Sequence, residues 1–89
     1  MMQKDFDETM KFSMENLEEA KLINIMQDVY TALEEKGYDP ASQIIGYIIS
    51  GDPTYITSHK DARKKIKQID RNDILEDILE FYFVKNNIK

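Results

Sequence analysis

The side chains able to do chemistry are few, and they fall into three groups. Asp73, Glu76, Asp77 and Glu80 recur at helical spacing, an arrangement that resembles a carboxylate cluster for acid–base work or a hard cation. His59 is the only histidine and cysteine is absent, so no imidazole or thiolate accompanies the acids in sequence. A solvated helix face is the simpler reading of these acids, and a cap-region surface residue is the simpler reading of His59. Gly51-Asp52-Pro53 lacks the glycine spacing and the Lys-Ser/Thr pair that cradle phosphates. No catalytic residue, metal ligand or cofactor site is therefore assigned.

The second group is basic. Lys60, Arg63, Lys64 and Lys67 lie within eight residues, and such a run can meet phosphates or an acidic partner segment. A solvated helix face is again the plain alternative. Residues 41–69 also imitate the layout of a helix-turn-helix, in which a second helix follows a short turn into the major groove. The piece after Gly51 is only one turn long, and the chain carries a net charge of −5. Nucleic-acid binding through 59–67 is kept as the alternative to a protein-contact role. The third group is hydroxylic. Thr9 stands in Asp7-Glu8-Thr9-Met10-Lys11-Phe12, with Ser13 close behind. A phosphate on Thr9 would add about −1.5 to −2 charges to an already acidic stretch.

Positioning these residues falls to a small helical framework. Eighty-nine residues make one domain at most, and an apolar share of 42% is enough for a core. The chain has no apolar run long enough to cross a bilayer and no apolar signal region, so a cytoplasmic location without membrane insertion is expected. Residues 1–15 lack a clean period and read as a flexible tail, leaving 16–86 as the folded domain. From about Leu17 to Lys36 the apolar residues Leu22, Ile25, Met26, Val29, Tyr30 and Leu33 follow a helical period, and Gly37 suits the residue just past the helix end.

Pro40 fits the first position of a second helix reaching about Ser50, with Asp39 as its cap. Its isoleucine-rich run also fits a buried strand, but its length and proline start favour helix. Gly46 in mid-helix implies a close helix crossing. Asp52-Pro53 restarts the chain in a single turn. Thr57 or Ser58 then caps a helix over 59–69, and Asp70 or Asn72 caps the last helix, reaching about Lys85. The expected fold is all-α: a compact bundle of about five short helices. Its apolar surface exceeds what one layer can cover, which predicts a homodimer. The candidate dimer or partner surface comprises Ile45, Ile48 and Ile49 together with Ile78, Phe81 and Tyr82.

Over about residues 6–83 the chain resembles the IreB family of small regulatory phosphoproteins from Gram-positive bacteria. The resemblance rests on Val29-Tyr30, Leu33-Glu-Glu-Lys-Gly-Tyr38, Pro40, Gln43-Ile-Ile-Gly-Tyr47, Ser50-Gly-Asp-Pro-Thr-Tyr55, the Ala62-Arg63 pair and the acidic-apolar last helix. It implies an all-helical homodimer whose helix-turn-helix-like core does not read DNA. It also implies a non-enzymatic cytoplasmic substrate of a membrane Ser/Thr kinase with extracellular cell-wall-binding repeats, opposed by a cognate phosphatase. In that family the small protein is a negative regulator in cell-envelope stress and β-lactam tolerance, acting on a downstream protein that the sequence does not name. Phosphorylation there falls on a Thr-Asp-x-Thr-like motif. Phe6-Asp7-Glu8-Thr9 occupies its place, so Thr9 matches the second threonine and Phe6 replaces the first.

Overall fold

The breakers act where the sequence puts them. The computed structural model describes the backbone of residues 2–89 and the side chains of residues 19–89. It contains four α-helices, α1 (Met2–Glu35), α2 (Pro40–Ser50), α3 (Ala62–Ile66) and α4 (Arg71–Lys85), with 3-10 turns at Pro53–Tyr55 and His59–Asp61. No strand occurs among the described residues.

Helix α1 begins well before the periodic pattern at about Leu17. Residues 2–35 include no glycine or proline, so nothing in the covalent chain stops the helix until Gly37. The expected tail, 1–15, falls outside the side chains described. Gly37 adopts φ +84°, and the Tyr38 N–H donates to the Leu33 carbonyl at 2.9 Å while the Gly37 N–H donates to Glu34 at 3.0 Å. That pair of bonds satisfies the last carbonyls of α1 in the manner that favours glycine.

Asp39 stands at the N-cap of α2 with Pro40 at its first position, but its carboxylate takes the Ser42 hydroxyl rather than a backbone N–H. Asp52 caps the Pro53–Tyr55 turn by accepting from the Thr54 N–H at 3.0 Å. Asp70 caps α4 by accepting from Asn72 at 2.8 Å.

The expected helix over 59–69 is shorter and interrupted. Lys60 and Asp61 both take left-handed conformations, φ +53° and +61°, and the regular α-helix runs only over Ala62–Ile66. Left-handed backbone costs a non-glycine residue roughly 1–2 kcal/mol. Thr57, rather than Ser58, supplies the local side-chain bond, its Oγ1 accepting from the His59 N–H at 3.2 Å.

The core gathers one stripe from α1 (Ile25, Val29, Ala32, Leu33) with Tyr47 of α2, Ile56 after the first turn, Ala62 and Ile66 of α3, and Ile74 of α4. Val29, Ala32, Leu33, Ile56 and Ile66 are fully buried. The most extensive helix pairing is between α1 and α3. Gly46 is explained differently from the expected helix crossing. A methyl group there would lie 2.5 Å from Cδ1 and 2.9 Å from Cζ of Tyr55, so the glycine makes a notch for the ring of the 3-10 turn. Gln43 Nε2 donates to the Tyr55 carbonyl at 2.9 Å and fixes the same turn against α2.

Candidate functional site

The basic run is divided by its role in docking α3 onto α1. Glu35, at the end of α1, receives His59 Nε2 at 2.8 Å on Oε1, and Lys60 Nζ lies 3.1 Å from the same oxygen. These bonds hold the Glu35 carboxyl below its ordinary pKa, the hydrogen bond from His59 first and that from Lys60 next. They also tie down Lys60, the first of the two left-handed residues, and its neighbour His59. Lys65 pairs with Asp28 of α1 at 3.1 Å. Arg63 is half-buried, and its Nε donates to the Ile56 carbonyl at 2.8 Å.

Of the four basic residues singled out in the sequence, Lys60 is therefore engaged by Glu35 and Arg63 caps a loop carbonyl. Lys64 and Lys67 are exposed and make no ion pair among the described residues. Thr9, Ser13 and Phe6 fall outside the side chains described.

The apolar candidates stand on the surface. Ile49 is 79% exposed and Phe81 69%, and Ile45, Ile78 and Tyr82 are each about half exposed. Ile48 differs: it is half-buried and packs against the core. Along α4 only Ile74 is buried, although Leu75, Leu79, Phe83 and Val84 are also apolar and exposed. A monomer burying so little of so apolar a helix leaves a surface suited to a protein partner. Arg71 ties α4 to α2, its Nη1 donating to the Ile48 carbonyl at 2.8 Å in the last turn of α2.

Asp73, Glu76, Asp77 and Glu80 are exposed, as a solvated face would be, yet they also line an open cleft of about 420 Å³ between α1 and α4. An adjoining cleft is mostly apolar, lined by Leu22, Ile23, Met26 and Tyr30 of α1 and Ile74 and Ile78 of α4. No trio of His, Asp or Glu side chains among the described residues is placed to hold a metal ion. None of their helices is long and apolar enough to cross a membrane.

Sequence reasoning missed Glu35, Asp28 and Arg71. Each acts on a partner more than twenty residues away, and no local pattern announces such a pairing.

Comparison with known proteins gives these surfaces a context. The profile described as "IreB regulatory phosphoprotein" matches residues 7–84, a span that includes Thr9 and all four helices in whole or part. A UPF0297 protein of Ruminiclostridium cellulolyticum is 46% identical over 81 residues, covering 91% of this chain and 92% of that protein. With nearly the whole length matched in both directions, the chain belongs to the IreB family of regulatory phosphoproteins.

Proposed function

We propose that the chain is a non-enzymatic regulatory phosphoprotein of the cytoplasm, a substrate of a membrane Ser/Thr kinase and its cognate phosphatase. It acts by protein contact in cell-envelope stress and β-lactam tolerance signalling. Thr9 is the phosphate acceptor. The observation that carries this reading is the family match over residues 7–84, which takes in Thr9 within its acidic stretch.

The described surface supports the same direction. Its exposed chemistry is apolar and acidic, which suits protein partners better than phosphates. The basic segment spends His59, Lys60 and Lys65 on carboxylates of α1, leaving few cations for nucleic acid or for a phosphorylated segment. Lys64 and Lys67 are the free contacts for an acidic partner, with Arg63 and Lys60 behind them. The protein works as a homodimer, with Ile45, Ile49, Ile78, Phe81 and Tyr82 meeting a second copy and Ile48 beneath them. The α2–turn–α3 arrangement is helix-turn-helix-like in layout and serves as framework rather than as a DNA reader.

The test is genetic. The native gene is replaced by Thr9→Ala or Thr9→Glu and survival under a β-lactam is measured. Divergent survival of the two variants is expected. Identical survival of wild type, both variants and a deletion strain would overturn the reading.

A further inference from the structure

Helices α1 and α4 flank two open, adjoining clefts that share Leu22 and Asp77. The floor is apolar: Ile74 is buried, Leu22 and Met26 are half-buried, and Ile23 and Ile78 remain 62% and 48% exposed. The rim is predominantly acidic, because Asp73, Asp77 and Glu80 follow one another at i, i+4 and i+7 along α4, with Glu76 beside them and Glu19 on α1, against a single basic member, Lys21. We infer that this α1/α4 groove docks an amphipathic, basic segment of a partner protein, its apolar side on the Ile74–Ile78 floor and its Lys or Arg side chains against the rim.

The charge pattern selects this occupant over the others. Lipid headgroups and nucleic acid present anionic phosphates, which the rim repels. A second copy packed by a two-fold axis into the groove itself would set Asp73 and Asp77 against the same acids of its partner, an unfavourable like-charge contact, whereas Phe81 and Tyr82 of the proposed dimer face line neither cleft. A helix with one apolar and one basic face satisfies both floor and rim, and laying such a face into a groove is a recurrent mode of recognition. Ile78 lies at the border with the face assigned to the dimer, so groove occupancy and dimer contact meet at one residue. This inference rests on the protein-contact reading and names its surface.

The experiment titrates the full-length protein into a fluorescein-labelled amphipathic peptide of leucine and lysine and follows anisotropy. A leucine/glutamate peptide of the same pattern serves as comparison. Saturable binding of the leucine/lysine peptide alone is expected. Asp77→Lys should weaken it about tenfold, whereas Glu34→Lys, the same change in net charge outside both clefts, should alter it by less than about twofold. Ile23→Ser removes an exposed apolar group from the floor and should weaken binding with unchanged circular dichroism.

Equal weakening by Asp77→Lys and Glu34→Lys overturns the proposal, as does equal binding of the acidic peptide. Absence of saturable binding overturns it too, and if Ile23→Ser then dissociates the homodimer, the groove belongs to the second copy. None of these failures touches the Thr9 survival test, so the groove and the phospho-regulation stand or fall separately.

Discussion

Gly51→Ala should destabilise the fold about twice as much as Gly37→Ala, and the excess should reside in Arg71. Both glycines follow a helix with positive φ, +84° at Gly37 and +76° at Gly51. Left-handed alanine costs roughly 1–2 kcal/mol, partly offset by the lower entropy of the unfolded chain, which leaves a net of about 1 kcal/mol at either site. The surroundings differ. A methyl at Gly37 meets nothing within 4 Å, whereas at Gly51 it falls 2.9 Å from the Arg71 guanidinium carbon. Arg71 must then leave the Ile48 carbonyl, to which it donates at 2.8 Å. Loss of that exposed hydrogen bond adds about 1 kcal/mol.

With a urea m-value of about 1 kcal/mol/M for a small domain, the midpoint should fall by about 1 M for Gly37→Ala and about 2 M for Gly51→Ala. All variants must be compared at one protein concentration, since assembly shifts apparent stability. In an Arg71→Ala background the two alanine variants should become equivalent. If the Gly51 excess persists there, or if the two variants differ in neither background, the Arg71 cap is not what binds α4 to α2.

Three further outcomes follow from the same geometry. Glu35 has a folded pKa depressed below the ordinary value for a glutamate by His59 and then Lys60, so its contribution to stability is complete above the unfolded pKa and is lost as pH falls through the folded one. Thermal midpoints measured downward from pH 5 should decline in wild type and decline less in Glu35→Gln. Ile66 of α3 is fully buried in the core, so Ile66→Ala should cost about 2–5 kcal/mol, a large part of the roughly 4–13 kcal/mol expected for a domain of this size. Chemical denaturation measures it, and a loss below about 1 kcal/mol would contradict the packing described. Phe81→Ser, at a position 69% exposed in one chain, should leave the helical spectrum unchanged and shift sedimentation toward the monomer. An unchanged mass over dilution would place the dimer contact elsewhere.

Local chemistry made much of the fold legible. Gly37, Pro40, Asp52-Pro53 and Asp70 act at the positions where backbone rules place them, because a cap or a left-handed residue needs only its immediate neighbours. The apolar stripe Ile25–Val29–Leu33 was readable for the same reason. The break at Lys60-Asp61 was not. Asp61 tolerates positive φ better than most residues, but Lys60 does not, and its anchor, Glu35, lies 25 residues earlier. The same distance hid the division of the basic run, since Lys65 meets Asp28 across 37 residues. Gly46 signalled a close approach, but only the folded chain names Tyr55 as the group approaching. The acids of α4 read as solvated face because their role as a rim depends on α1 lying beside them. Thr9 owes its candidacy to its place among acids in the sequence and to the family resemblance; its side chain lies outside those described.

The most direct measurement of the central claim is phosphosite mapping. The full-length protein is incubated with the membrane Ser/Thr kinase of its own organism and ATP, and modified residues are identified by mass spectrometry beside a control substrate. The account predicts phosphate on Thr9, its loss in Thr9→Ala, and its removal by the cognate phosphatase. An unmodified Thr9 alongside a fully labelled control would contradict it.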